Sequence, residues 1–200
     1  MLGLRCVGWH NIGDLKAKTK FWAENVAMQN FNERCRAVFM KNLKKRIRLK
    51  SFDYKGHYRY FVTICTDKIV GQGFSLASKT IIDKITEMLR QASEKFGFSV
   101  VVYCFMPDHL HLLVEGNNEF ADLKKFIVMF KQKTGYYYSS IFKKRLWQIN
   151  YYERVLRTNE TTKDVMRYIL ENPVRKGLVE NFTQYPFSGS FVFDIKDQQP

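Results

Sequence analysis

The chain has 200 residues, 46% of them apolar and 16% aromatic, enough to bury a core and too many for a chain disordered over most of its length. Its longest apolar run, Val100–Met106, is seven residues, far short of the about 20 that span a bilayer, and the N-terminus lacks the apolar segment of a secretory leader. Lys and Arg number 33 against 19 Asp and Glu, a net charge of +14 that would repel itself on a compact surface unless a polyanion shared it, so nucleic acid is the leading partner class for a soluble intracellular protein.

From the N-terminus, Lys16–Met40 carries enough apolar residues for a helix, and Arg34–Lys50 holds eight basic residues and no acidic one. Residues 1–45 therefore read as a basic N-terminal extension, partly helical or partly disordered, whose basic run continues through Arg46 and Arg48 and can lie on phosphates. Tyr58–Thr66, rich in β-branched and aromatic residues, predicts a first strand. Ser78–Phe96 has Ile81, Ile82, Ile85, Met88, Leu89 and Ala92 at helical spacing. Phe98–Met106 reads as a second strand, Met106-Pro107-Asp108 as a turn, and His109–Glu115 as a third strand antiparallel to the second. Phe120–Tyr138 and Thr161–Glu171 are two further helices, the last one stopped by Asn172-Pro173. This order predicts an α+β sandwich, an antiparallel sheet with helices packed on one face. Cys6, Cys35, Cys65 and Cys104 have no Cys-x-x-Cys spacing, which argues against a zinc ribbon or a redox pair; Cys65 and Cys104 read as small buried hydrophobes.

Chemistry enters at His109-Leu110-His111. Side chains at i and i+2 share one face of a strand, so the imidazoles point the same way, with Leu110, Leu112 and Val114 turned into the helices. Neutral, the pair offers a two-point metal site; the plainer alternative is two surface histidines on an open sheet face. A hard divalent cation on two imidazoles also wants an oxygen ligand. Tyr168 and Asn172 lie four apart on one helical stripe, so Asn172 offers a carbonyl oxygen and Tyr168 a hydroxyl beside it. A metal that polarises a phosphodiester, with a tyrosine oxygen in line, describes nucleophilic phosphoryl transfer. Taken alone, Tyr168 also reads as packing and Asn172 as a helix stop.

The run Met106-Pro107-Asp108-His109-Leu110-His111-Leu112-Leu113 resembles the histidine motif of the HUH single-tyrosine transposases. Leu146-Trp147-Gln148, Tyr151-Tyr152-Glu153, Arg167-Tyr168-Ile169-Leu170-Glu171-Asn172-Pro173-Val174-Arg175-Lys176-Gly177-Leu178-Val179 and Tyr185-Pro186-Phe187-Ser188 follow in the family's order. The Tyr-Ile-x-x-Asn-Pro-Val form is similar to the branch associated with repetitive extragenic palindromes. The resemblance implies a ferredoxin-like or RRM-like catalytic domain over residues 46–193. It implies that His109, His111 and Asn172 bind Mg²⁺ or Mn²⁺, and that Tyr168 attacks single-stranded, hairpin-associated DNA to leave a 5′-phosphotyrosine and a free 3′-hydroxyl. It leaves a monomer and a homodimer both open, and implies a cytoplasmic, nucleoid-associated protein of bacterial type. Family members often have a histidine where this chain has Arg154, which can touch phosphate instead.

Arg154, Arg175, Lys176, Lys131, Lys133, Arg46 and Arg48 are the expected DNA contacts. Tyr136, Tyr137 and Tyr138 read as packing plus base stacking rather than as the nucleophile, and Trp147 as a core anchor. The competing function is a non-catalytic binder of structured single-stranded nucleic acid, using the same sheet and aromatics without cleavage.

Overall fold

The computed structural model describes residues 52–67, 79–156 and 159–195, with residues 159–161 by backbone alone. The expected N-terminal helix, the basic arm, and Arg46 and Arg48 lie outside these residues. The elements in chain order are β1 (Arg59–Cys65), α1 (Lys79–Lys95), β2 (Phe98–Met106), β3 (His109–Gly116), α2 (Leu123–Phe142), β4 (Tyr152–Leu156), α3 (Asn159–Arg175) and β5 (Ser188–Gly189), with a 3-10 turn at Phe182–Gln184. The strands form one antiparallel sheet in the order β4-β1-β3-β2-β5. Its first four strands, with the two crossover helices, are the ferredoxin-like arrangement; β5 and α3 are additions to it.

Alternation along the strands divides the sheet into two faces. Tyr60, Val62 and Ile64 of β1 and Leu110, Leu112 and Val114 of β3 bury against Ile82, Ile85 and Leu89 of α1 and Phe126, Ile127 and Phe130 of α2. Trp147 closes this core, its indole N–H donating to Thr134 Oγ1 at 2.8 Å. Two helices thus cover one face; the sequence predicts all the helices there, but α3 lies on the other face, because its Val165, Ile169 and Leu170 find apolar partners on that side. There Val165, Ile169 and Leu170 pack on Val102, Cys104, Met106, Leu113 and Leu156. A bulge between Val100 and Val102 makes this possible. One extra residue inverts the phase of the pleat, so Val100 faces α1 and α2 while Val102, Cys104 and Met106 face α3.

The bounds of the last two helices differ from expectation. α2 starts at Leu123 because the Asp122 carboxylate caps it, accepting from the Lys125 N–H at 3.0 Å. It runs past Tyr138 to a left-handed Lys143, whose N–H caps Ser139 O. α3 does not stop before Pro173 but continues through it to Arg175. Proline removes one backbone donor, the one that would serve the Ile169 carbonyl, and disfavours helical geometry in its predecessor, yet the ladder resumes beyond it, the Lys176 N–H donating to the Asn172 carbonyl at 3.1 Å. Asn172 Nδ2 and Arg175 Nη2 both donate to the Tyr168 carbonyl.

Candidate active site

His109 and His111 open β3 and lie on the α3 face, with Thr63 of β1 directly across from His111 and Met106 of β2 across from His109. Each imidazole is held from behind. Asp108, in the turn just before the strand, accepts from His109 Nδ1–H at 2.6 Å, and the Thr63 hydroxyl bonds His111 Nδ1 at 2.9 Å. The two remaining ring nitrogens, both Nε2, face each other at 2.9 Å. Two lone pairs aimed at each other across this gap would repel; a proton on either Nε2 or a cation between the rings resolves this. Two nitrogens each about 2.1 Å from one ion at a right angle sit about 3 Å apart, so the observed spacing suits a shared metal.

Electrostatics favour the ligand form. His111 is buried, and desolvation first, then the neighbouring His109 and Arg175, hold its pKa well below the usual imidazole range, keeping it neutral. The hydrogen bond with His109 pulls the Asp108 carboxyl below its ordinary range, with a smaller contribution from Lys176. Cys104, opposite His111, has its thiol pushed up to about 12 by burial and is inert packing. Among the described residues no three His, Cys, Asp or Glu side chains cluster as a metal site. A cation at the histidine pair would therefore rest on two imidazoles plus a neutral oxygen such as that of Asn172, which is buried one turn beyond Tyr168.

Tyr168 projects from α3 onto the same spot. Its ring centroid lies 5.7 Å from that of His111 and 5.9 Å from that of Phe61, nearly perpendicular to the latter. Phe61 also lies 5.4 Å from His111, so it wedges the phenol and the imidazole into one cluster. The guanidinium of Arg175 covers the Tyr168 ring at 4.4 Å. All of these side chains come from a single chain.

The expected DNA contacts separate into groups. Arg154 is exposed on β4 and shares a face with Leu156, the α3 side of the sheet. Lys176 is exposed just past α3 and senses Asp108. Arg175 is folded inward. Lys131 and Lys133 sit on α2, which packs on the opposite face. Lys133 is exposed, whereas the Lys131 ammonium donates to the carbonyls of Gln148 and Ile149, both at 2.8 Å, and so secures the chain after α2. Of the tyrosine cluster, Tyr138 is core, Tyr137 is partly buried against it, and Tyr136 is 79% exposed.

Sequence reasoning missed Thr63, Asp108 and Phe61. Asp108 was visible as an acid adjoining the pair. Thr63 and Phe61 needed the register of β1 on β3, which no local pattern gives.

Relatives agree with this architecture. A protein of Haemophilus influenzae named as a REP-associated tyrosine transposase is 28% identical over 130 residues, 58% of this chain and 71% of its own length. The REP-associated tyrosine transposase of Escherichia coli is 28% identical over 113 residues, 51% of this chain and 62% of its own. The solved structure of a REP-associated tyrosine transposase bound to a REP hairpin shares the fold, with a TM-score of 0.59 at 19% identity over 70% of this chain and 81% of that one. The family model for IS200-like transposases matches residues 72–172, just over half of the sequence and a span that contains the histidine pair, Tyr168 and Asn172. The chain belongs to the IS200-like transposase family.

Proposed function

We propose that this protein cleaves and rejoins single-stranded DNA through Tyr168, in a reaction that depends on a divalent metal. The observation that carries this reading is the meeting of the Tyr168 ring with His111, beside two imidazole nitrogens aimed at one point. The phenol oxygen attacks a backbone phosphorus, the bond from phosphorus to the 3′ oxygen breaks, and that oxygen leaves as a 3′-hydroxyl while the phenol gives up its proton. The ester energy is kept in the phosphotyrosine, so a second 3′-hydroxyl can reverse the step and release the phenol without ATP. Mg²⁺ or Mn²⁺ held by His109, His111 and Asn172 would polarise the phosphate and stabilise its developing charge. Asp108 and Thr63 orient the two rings from behind, as outer partners do for ligating histidines.

For the substrate we propose single-stranded DNA next to a hairpin. The support is the net charge of +14, the exposed Arg154 and Lys176 on the α3 side, and the hairpin held by the solved relative. The test is incubation with end-labelled single-stranded DNA carrying the palindrome beside the chain's own gene, with Mn²⁺ or with EDTA. A labelled protein band that survives denaturant and needs Mn²⁺ is the expected result. Retarded DNA without such a band under either condition would favour the non-catalytic binder.

A further inference from the structure

We propose that Arg175 is a positioning residue that holds the Tyr168 ring toward the histidine pair, not a contact to DNA phosphate; this rests on Tyr168 being the nucleophile. Residues 168, 171 and 175 lie along one stripe of α3, and helical side chains lean toward the N-terminus, so an arginine in the last turn naturally folds back over the two preceding turns. Both terminal nitrogens and the plane of its guanidinium are committed. Nη1 pairs with Glu171 Oε2 at 3.1 Å, Nη2 donates to the Tyr168 carbonyl, and the guanidinium plane lies over the Tyr168 ring at 4.4 Å. Only 13% of the side chain is exposed, which leaves little of it for a phosphate.

The arrangement holds the nucleophile at its backbone and at its ring. Asn172 Nδ2 and Arg175 hold the backbone carbonyl from which the tyrosine springs, and the guanidinium bears on its ring while Phe61 meets it edge-on. A phenol free to rotate would spend much of its time away from a phosphate held at the histidines, and a misplacement of about 1 Å can cost about 100-fold in rate. Lysine cannot reproduce the clamp, because it lacks the planar fork that pairs and stacks at once.

The test compares wild type with Arg175→Gln, Arg175→Lys and Glu171→Gln, measuring DNA affinity by fluorescence anisotropy and the single-turnover rate of adduct formation at saturating DNA. It adds ¹⁹F NMR of 3-fluorotyrosine-labelled protein without metal or DNA, the Tyr168 line being assigned by its loss in Tyr168→Phe. Arg175→Gln is expected to slow adduct formation by about 100-fold with DNA affinity within about twofold, and to shift the Tyr168 line toward that of a mobile ring. Arg175→Lys should be nearly as slow, and Glu171→Gln, which keeps the arginine and folds most readily, should move rate and line in the same direction by less. An Arg175→Gln protein that loses affinity in step with rate, a lysine variant that restores the rate, or a Tyr168 line unchanged in both Arg175→Gln and Glu171→Gln would overturn the proposal. If the wild type forms no adduct, the nucleophile reading fails and this role with it, whereas a fast adduct with an unmoved line condemns the clamp alone.

Discussion

The two faces of the sheet are built from the same strands and do opposite things. Toward α1 and α2 the strands present Tyr60, Val62, Ile64, Leu110, Leu112 and Val114, which meet aliphatic and aromatic side chains in a dry core. Toward α3, one residue out of step along the same strands, they present Phe61, Thr63, His109 and His111. The first face holds the fold together by area removed from water. The second has a smaller apolar cluster, in which Val165, Ile169 and Leu170 of α3 pack on strand residues that include Cys104 and Met106. Its remaining positions gather two imidazoles, the Thr63 hydroxyl that backs one of them, and the Tyr168 ring. A period of two along a strand is thus enough to keep the dry core and the histidine cluster on separate sides of one backbone.

That separation can be broken by mutation, and the expected effects fall in order. Tyr168→Phe keeps the ring and its contacts but should lower adduct formation by at least about a thousand-fold, read on a denaturing gel, with an unchanged melting temperature. On the other face, Phe126→Ala should cost about 3–5 kcal/mol in chemical denaturation through the cavity it opens. Its refolded fraction should keep ordinary single-turnover chemistry. Thr63→Val and Asp108→Asn should each weaken Mn²⁺ affinity by about 10- to 100-fold in calorimetry while lowering stability by only about 1 kcal/mol.

The smallest effects sharpen the comparison for DNA binding. Lys176→Met should reduce the slope of log affinity against log salt by about 1 and leave stability alone. Lys131→Met should do the reverse, costing about 1–2 kcal/mol because two loop carbonyls lose their donor, with the salt slope unchanged. A lowered slope for Lys131→Met would bring the α2 face into DNA binding.

Much of this was legible in the sequence because the local signals are strong. β-Branched and aromatic runs gave β1 to β3, helical spacing gave α1, and the strand period gave the shared direction of His109 and His111. Three things were not legible. β4 and β5 are short strands that exist because a neighbour offers hydrogen bonds, so Tyr152–Leu156 carries no periodicity of its own. The bulge after Val100 is a tertiary accommodation inside an unbroken apolar run, and it decides which face Cys104 and Met106 serve. In α3, whose Ile169 and Leu170 pack on the sheet and whose Lys176 N–H still closes on the Asn172 carbonyl, the helix continues through Pro173 against the local bias, and neither contact is a local pattern.

The central claim is that the phenol beside the histidine pair becomes joined to DNA, and peptide mapping of the adduct tests it most directly. After reaction with Mn²⁺ and the palindromic single strand, nuclease trimming and proteolysis, mass spectrometry should find the nucleotide remnant on the peptide containing Tyr168 and on no other. A remnant on the peptide carrying Tyr136, Tyr137 and Tyr138, or an adduct that persists in Tyr168→Phe, would contradict it.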